Sequence, residues 1–196
     1  MEDSHITKNP YRSKVQANNL LAYLRYMADT QVTTLFVGEA PGYLGCAMTG
    51  IPFTDEYRLT PEGNVGCTPL LAPGYYLPEE SMSSPHREMS AGIMWTSFVE
   101  NNFFPMMWNA FPLHPHKPYN PLSNRTPTQR EIQTNMHVLS NLLLALPSIQ
   151  HIYAVGRKAE TMLAQMNILS AYIRHPSHGG ASECRARICE IALFHK

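Results

Sequence analysis

Residues that could do chemistry stand at the ends of short apolar runs in four places along the chain. Gly38–Tyr43 contains a carboxylate, Asn109 lies at the end of the second run, Gly156–Lys158 brings two cations, and His175–Gly180 brings two imidazoles and two glycines. Carboxylates and imidazoles act as general acids and bases, and an amide offers both donors and an acceptor. Together these residue types indicate one site that binds a polar ligand.

The apolar runs predict the strands that would position these residues. Stretches with helical periodicity separate them, and such alternation is typical of a parallel sheet covered by helices on both faces. Ligands bind beyond the carboxyl ends of strands in these sheets, which would bring all four segments to one edge. We therefore predict an α/β fold with three α/β/α layers and a central, mostly parallel four-stranded sheet. Its strands would be Thr33–Val37, Phe104–Ala110, His151–Val155 and Ala171–Arg174.

Helix and loop signals fill the intervals. Ser84-Pro85 has the form of an N-cap and a first-turn proline, which predicts a helix from there towards Asn101. Thr126–Gln129 combines a capping box with a proline at the first helical position, ahead of an apolar stripe that ends at Pro147. Residues 57–83 are rich in Gly, Pro and Ser and have no strong period, which predicts a long inserted loop.

Length and composition limit the class of protein. A chain of 196 residues fits one domain, since domains have about 100–200 residues, and 44% hydrophobic residues exclude a disordered protein. No apolar run reaches the ~20 residues of a membrane span, and Met1–His5 lacks the pattern of a signal peptide. We expect a single domain over residues 1–196 that is intracellular, monomeric and not bound to membranes. In a prokaryotic host it would be cytoplasmic and associated with the nucleoid.

Charge divides unevenly between the two halves of the chain. Residues 1–100 contain 6 Lys/Arg and 11 Asp/Glu, a net charge of −5, whereas residues 101–196 contain 9 and 4, a net charge of +5. The second half also has seven of the nine histidines. A dipolar molecule of this kind could present a positive face to an anionic polymer.

Four motifs, taken together, resemble a known family. Gly38–Gly42 (GEAPG), Thr49–Phe53 (TGIPF), Asn109 and His175–Ser177 (HPS) resemble the uracil-DNA glycosylase superfamily in order, strand placement and approximate spacing, from residue 33 to about 181. The resemblance implies a monofunctional DNA glycosylase. Such an enzyme hydrolyses the bond between uracil and deoxyribose in an extruded nucleotide of single- or double-stranded DNA. It leaves an abasic site for base excision repair.

The GEAPG turn makes the chain look nearest to the iron–sulfur branch of that superfamily. That branch has an amino-terminal CxxC and a later cysteine pair, and both are missing here. We therefore predict no iron–sulfur cluster, no other cofactor and no metal. Free cysteines are usually small core residues, so we expect buried, unreactive thiols at Cys46, Cys67, Cys184 and Cys189.

The resemblance also implies roles for individual residues. Phe53 would stack on the extruded base, and Asn109 would hydrogen-bond to its edge. His175 would stabilise the charge that develops at uracil O2, and Glu39 would orient the attacking water. Gly42 replaces a tyrosine that blocks the thymine methyl in the best-known branch, so thymine exclusion must come from elsewhere, with Tyr43 as a candidate. The predicted base-binding residues are Gly38, Ala40, Tyr43, Phe53 and Asn109.

DNA contacts are expected at two glycine-containing loops. Each loop precedes a predicted helix, where backbone amides favour phosphate. The family uses the second loop to fill the space left by the extruded nucleotide, which makes His178 the candidate wedge. We expect His114 and His116 beside the base pocket or a phosphate. The predicted DNA-binding residues are Arg157, Lys158, Ser177, His178, Gly179 and Gly180.

Two alternatives remain open from the sequence. Gly42 leaves room for other deaminated bases, so hypoxanthine or xanthine could be the substrate. A non-catalytic module that binds damaged DNA could also use this fold, although the presence of both Glu39 and His175 argues against it.

Overall fold

Four parallel strands form the centre of the molecule in the computed structural model, which describes residues 3–195. They follow the order Met106–Asn109, Thr34–Gly38, His151–Val155 and Ala171–Ile173 across the sheet and are flanked by helices, which confirms the predicted three-layer α/β/α class. Two further short strands pair as an antiparallel ribbon that the sequence did not predict. The strands are β1 (Thr7–Lys8), β2 (Thr34–Gly38), β3 (Met106–Asn109), β4 (His114–Pro115), β5 (His151–Val155) and β6 (Ala171–Ile173).

Seven α-helices lie in the described part of the chain. They are α1 (Lys14–Asp29), α2 (Cys46–Thr49), α3 (Glu79–Ser83), α4 (Met89–Asn101), α5 (Gln129–Ala145), α6 (Arg157–Gln165) and α7 (Ala181–Phe194). Within residues 3–195 no helix is both long and apolar enough to span a bilayer.

The central strands are continuous apolar runs because helices cover both faces of the sheet. Every residue of β2 and β3 is buried, as expected for a parallel sheet between helices. Phe36 in β2 contacts Phe98 of α4 and Tyr153 of β5 through its ring. Helix α7 packs on α4, where the Cys184 thiol lies 3.6 Å from the sulfur of Met94.

The strand order creates a crevice beyond the carboxyl ends of β2 and β5. The chain leaves β2 towards β3 on one side and leaves β5 towards β6 on the other. Ligands bind at such a switch point, beyond the carboxyl ends of the strands. The residues that follow β2, β3, β5 and β6 are the four segments that the sequence predicted to converge.

The predicted helix start at Ser84-Pro85 is wrong, because α4 begins at Met89. The backbone N–H groups of His86 and Glu88 donate to the carboxylates of Glu56 and Asp55, at 3.0 and 2.6 Å. These bonds hold the segment before α4 in an extended conformation.

Two other local predictions also need correction. The capping box of α5 joins Thr128 to Glu131, so it lies two residues later than predicted and the proline precedes the N-cap. Residues 57–83 form a long connection without strands, but they contain 3₁₀ turns at Tyr57–Leu59 and Thr68–Leu70 as well as α3.

Candidate active site

One cavity of about 330 Å³ opens at the carboxyl edge of the sheet. Its wall includes Glu39, Phe53, Asn109 and His175, which are far apart in sequence. Pairing of Gly38 with Asn109 in β2 and β3 sets Glu39 beside the end of β3. This volume lies in the range of small-ligand pockets, about 300–1,000 Å³.

Phe53 reaches the cavity through a tight turn. Gly50 ends α2 with φ of +80°, and a Cβ there would lie 2.2 Å from the carbonyl oxygen of Gln16. Phe53 itself adopts φ of +53°, an unusual conformation for a bulky residue that is often found at functional sites. Its ring packs on Gly38, where a Cβ would lie 2.4 Å from Phe53 Cζ. Gly38 therefore acts behind the cavity wall by making room for this ring.

Asn109 is the last residue of β3 and is 5% exposed. Its Oδ1 lies 3.0 Å from the position that a Cβ of Gly38 would occupy. Within residues 3–195 no protein group hydrogen-bonds to this amide. A rigid strand therefore presents the donor and the acceptor of Asn109 to a ligand.

His175 follows β6 and is fixed by its own loop. Its Nδ1 accepts a hydrogen bond from the backbone N–H of Ser177 at 3.2 Å and lies 2.8 Å from Ser177 Oγ. An Nδ1 that accepts a hydrogen bond leaves the proton of a neutral imidazole on Nε2. Burial, with the charges of His178, Arg174 and Lys158, lowers the His175 pKa to about 4. At neutral pH the ring is uncharged and offers an Nε2–H donor.

Glu39 follows β2 and is held at one carboxylate oxygen. Its Oε2 lies 3.6 Å from Lys158 Nζ, and its side chain is 27% exposed. Its Oε1 is buried and accepts no hydrogen bond from any described residue. A buried carboxylate oxygen is normally hydrogen-bonded, so Oε1 is suited to accept a hydrogen bond from water or a ligand.

A family comparison identifies this arrangement. The family model of the uracil DNA glycosylase superfamily matches residues 24–194. The chain belongs to that superfamily. It is a DNA glycosylase, a hydrolase that acts on DNA.

Comparison with individual proteins adds information on the fold. The solved structure of wild-type SMUG2 from Pedobacter heparinus is similar to this glycosylase with a TM-score of 0.68 and 20% sequence identity. The match covers 100% of this chain and 89% of the other. A search of curated proteins found no match to the sequence.

The loop after β6 contains four of the six residues that the sequence predicted to bind DNA, Ser177 to Gly180. Ser177 and His178 line the cavity, and His178 adopts φ of +53°. Arg174 Nη2 donates to the carbonyl oxygen of His178 at 3.3 Å and supports this loop. Gly179 is exposed and has φ of +79°. Gly180 is buried and packs so closely on the chain that a Cβ there would lie 2.1 Å from the carbonyl oxygen of His175.

Arg157 and Lys158 lie outside the cavity wall, in the first turn of α6. The Arg157 guanidinium covers the ring of Tyr172 at 3.9 Å and bonds to Glu160 at 2.8 Å. Lys158 bonds to Thr126 as well as pairing with Glu39. Lys158 therefore stands beside Glu39 at the site, and the contacts of Arg157 orient its guanidinium over Tyr172.

Ala40 lines the cavity, but the wall does not include Tyr43. The backbone N–H of Tyr43 donates to Asn124 Oδ1 at 3.1 Å, and Asn124 is itself a wall residue.

His114 and His116, which follow β3, are buried and hydrogen-bond to backbone carbonyl groups. His114 Nδ1 lies 2.8 Å from the carbonyl oxygen of Pro41 and its Nε2 lies 2.9 Å from that of Pro121, while His116 Nδ1 lies 2.8 Å from the carbonyl oxygen of Lys117.

Glu88 is the wall residue that sequence reasoning missed most clearly. Its carboxylate lies against two glycines: a Cβ on Gly42 would be 2.6 Å from Oε1, and a Cβ on Gly45 would be 2.3 Å from Oε2. Burial, followed by the charge of Asp55, raises the Glu88 pKa to about 7. No local pattern in the sequence indicates this position, because Glu88 lies in a segment that resembles the start of a helix.

The cysteines take no visible part in the site chemistry. Burial raises the pKa of Cys46, a wall residue, to about 12, so its thiol is protonated at neutral pH. The prediction of buried thiols is wrong at Cys189, which is exposed on α7. Within residues 3–195 no three His, Cys, Asp or Glu side chains are arranged to hold a metal ion.

Proposed function

We propose that this DNA glycosylase is a monofunctional uracil-DNA glycosylase that acts in base excision repair. It hydrolyses the N-glycosidic bond of an extruded deoxyuridine, releases uracil and leaves an abasic site. The observation that carries the proposal is the convergence of Glu39, Phe53, Asn109 and His175 on one cavity.

Asn109 selects the base. Uracil presents O4 as an acceptor and N3–H as a donor, so both can pair with the amide. Cytosine presents the opposite pattern and would leave both groups unpaired, at a cost of about 1–3 kcal/mol each. Phe53 stacks on the ring, and base–aromatic stacking contributes roughly 1–3 kcal/mol. This stacking helps to offset the few kcal/mol needed for extrusion of the nucleotide.

His175 and Glu39 act on the two charges that develop during bond cleavage. The neutral His175 donates from Nε2 to uracil O2 as the base departs with negative charge, and a preorganised donor of this type contributes about 3–4 kcal/mol. Glu39 accepts a hydrogen bond from the attacking water through Oε1 and favours the positive sugar electrostatically. Among the described residues no lysine lines the cavity, which supports attack by water over attack by an amine.

Release of uracil from labelled oligonucleotides tests the proposal. Substrates would contain one deoxyuridine opposite G, opposite A or in a single strand, with hypoxanthine, xanthine and T:G substrates beside them. We expect release from the uracil substrates and strand breakage only after alkali treatment of the abasic site. Release of a deaminated purine alone would instead support the alternative substrates. Binding without release from any substrate would support a non-catalytic module and contradict the proposal.

A further inference from the structure

His114 lies between two segments that contribute to the cavity wall. It begins β4 and is 1% exposed. Its Nδ1 lies 2.8 Å from the carbonyl oxygen of Pro41, and its Nε2 lies 2.9 Å from the carbonyl oxygen of Pro121. One ring therefore connects residues 39–43, which we call the β2 turn, to residues 117–125, which we call the wall loop.

The β2 turn and the wall loop also contact each other directly. The backbone N–H of Tyr43 donates to Asn124 Oδ1 at 3.1 Å. Pro41 in the turn and Asn124 and Arg125 in the loop line the cavity. A change in the hydrogen bonds of His114 therefore acts on the wall of the site from behind.

Both partners of the His114 ring are hydrogen-bond acceptors. A neutral imidazole has one N–H donor and one lone pair, whereas an imidazolium has two N–H donors. The neutral ring can therefore donate to only one of the two carbonyl oxygens, and its other nitrogen presents a lone pair to the second. Only the protonated ring donates to both.

Burial favours the neutral ring at neutral pH. It lowers the pKa of His114, while the two carbonyl groups oppose this shift and the charges of His116 and Lys8 reinforce it. Lys8 faces His114 across the pairing of β1 with β4, and the centroid of the His116 ring lies 5.6 Å from that of His114. A neutral ring has one proton to place, so the surroundings of the two carbonyl groups decide which bond remains.

The bond to Pro41 is the one that the neutral ring keeps. The contact between His114 Nδ1 and Pro41 is buried, whereas the contact between Nε2 and Pro121 is partly exposed. Water can replace the donor at a partly exposed carbonyl group, but an interior carbonyl group without a donor is costly. The neutral ring therefore carries its proton on Nδ1.

We propose that His114 is a positioning residue that holds the β2 turn through Nδ1 and, when protonated, also clamps the wall loop through Nε2. The consequence for catalysis rests on the proposed function, because Glu39 in this turn is the residue proposed to bind the attacking water. At neutral pH the turn is held and the wall loop moves independently. In mild acid the second bond joins the two segments.

Two substitutions each retain one of the two bonds. The amide nitrogen of asparagine can take the place of Nδ1, and that of glutamine can take the place of Nε2. In His114→Asn we expect kcat for uracil release to stay within about threefold of wild type. In His114→Gln we expect kcat to fall at least about tenfold, with KM changed less than kcat, because misplacement of Glu39 slows the chemical step. His137→Gln, on the exposed face of α5, is the control and should keep the wild-type kcat.

Equal kcat values in the two His114 variants would overturn the positioning role. Thermal unfolding followed by circular dichroism establishes that each variant is folded. If the glutamine variant is unfolded, the position of the proton on the wild-type ring decides the proposal.

Nitrogen NMR of wild-type protein with ¹⁵N-labelled histidine locates that proton. At about pH 8 we expect a proton on Nδ1 of His114 alone, and increasing protonation of Nε2 as the pH falls towards about 5. The signal that is missing from His114→Asn assigns the ring. A proton on Nε2 alone at about pH 8 would overturn the bond to Pro41, and an Nε2 that stays unprotonated over this range would overturn the clamp.

Amide hydrogen exchange at Tyr43 tests the clamp on the wall loop. This N–H bonds to Asn124, so its protection should rise in wild type as Nε2 becomes protonated. His114→Asn lacks Nε2 and should show no such rise. Glu88, which lies beside Gly42 and has a pKa of about 7, titrates in both proteins, so the difference between them isolates the effect of His114. The same pH dependence of protection in both proteins would overturn the clamp.

Failure of the proposed function gives a different result from failure of this proposal. If wild-type protein releases no base, the role of Glu39 fails and kcat values cannot be compared. The proton position on His114 and the protection of Tyr43 are measured without substrate. They therefore still support or overturn the bonds of His114 to the β2 turn and the wall loop.

Discussion

The wall of the cavity contains polar groups of two kinds, which differ in whether the protein itself satisfies them. Arg125 is a wall residue, but its guanidinium bonds to Glu131 at 2.6 Å and serves the fold. The amide of Asn109 and Oε1 of Glu39 have no hydrogen-bond partner among the described residues. Buried polar groups without partners are costly, so these two groups are available to pair with a substrate.

Asn109→Asp tests recognition of the base edge. The carboxylate has no donor for uracil O4 but can accept from the cytosine amino group, so uracil removal should fall about 10–100-fold and preference should shift towards cytosine. Release is measured from matched U:G and C:G oligonucleotides. Asn120→Asp is the control, because this exposed side chain needs only the oxygen that accepts from Leu122 N–H. An unchanged ratio of uracil to cytosine removal would exclude Asn109 from base selection.

His175→Ala tests the stabilisation of the leaving base. Loss of the Nε2–H donor should slow cleavage about 100-fold or more, whereas His137→Ala, on the exposed face of α5, should not. Because the His175 pKa is lowered to about 4, its neutral form should support turnover from pH 8 down to about pH 5. Turnover by the alanine variant at the wild-type rate would remove His175 from the mechanism.

The same pKa has a consequence for stability. The unfolded chain binds a proton at His175 below about pH 6.5, while the folded protein resists protonation until about pH 4. The folded state therefore loses stability relative to the unfolded state as the pH falls through this interval. The alanine variant should lose less stability than wild type between these two pH values, as measured by urea unfolding.

At the scale of elements, the sequence predicted the parts of the fold that depend on local pattern. The four parallel strands could be predicted because buried strands are continuous apolar runs, and their ends predicted where Glu39 and His175 would meet. The start of α4 could not be predicted, since Asp55 and Glu56 compete for the N–H groups that Ser84-Pro85 would have capped. The position of Glu88 in the site depends on this same long-range contact.

Gly38→Ala tests the close approach of β2 to Phe53, the residue proposed to stack on the base. An added Cβ would lie 2.4 Å from Phe53 Cζ and 3.0 Å from Asn109 Oδ1, so the side chains of Phe53 and Asn109 must shift. We expect a loss of about 1–3 kcal/mol in the free energy of unfolding, as for other overpacked cores, together with slower uracil release.

Gly92→Ala is the matched control for that substitution. A Cβ at Gly92 meets nothing within 4 Å inside α4, so this change should stabilise the protein by roughly 0.5–1 kcal/mol through helix propensity. Denaturant unfolding and base release are measured on both variants. Wild-type stability and activity in Gly38→Ala would contradict the packing role of Gly38.

For the whole molecule, the excess positive charge of the second half is consistent with the family's action on DNA. Residues 157, 158 and 174 to 180 lie at the same sheet edge as the cavity, and the amino ends of α6 and α7 open there. Amide groups and cations at one edge favour phosphate. The sequence predicted that these residues lie at one edge of the sheet, because their location depends only on which residues follow the strands. The position of Tyr43 outside the cavity wall could not be predicted, since its backbone N–H donates to Asn124 from a distant loop.

Arg157→Gln tests whether this edge binds the DNA backbone. Each phosphate contact releases counterions, so loss of one contact should reduce the slope of log affinity against log salt by about one unit and weaken binding to all sequences alike. The matched control is Arg187→Gln, because Arg187 pairs with Glu190 at i+3 at 2.7 Å, as Arg157 pairs with Glu160 at 2.8 Å. Arg187 lies near Tyr153 in the middle of β5, away from the cavity edge. Fluorescence anisotropy with a labelled duplex gives both slopes, and equal slopes in the two variants would place the backbone contacts elsewhere.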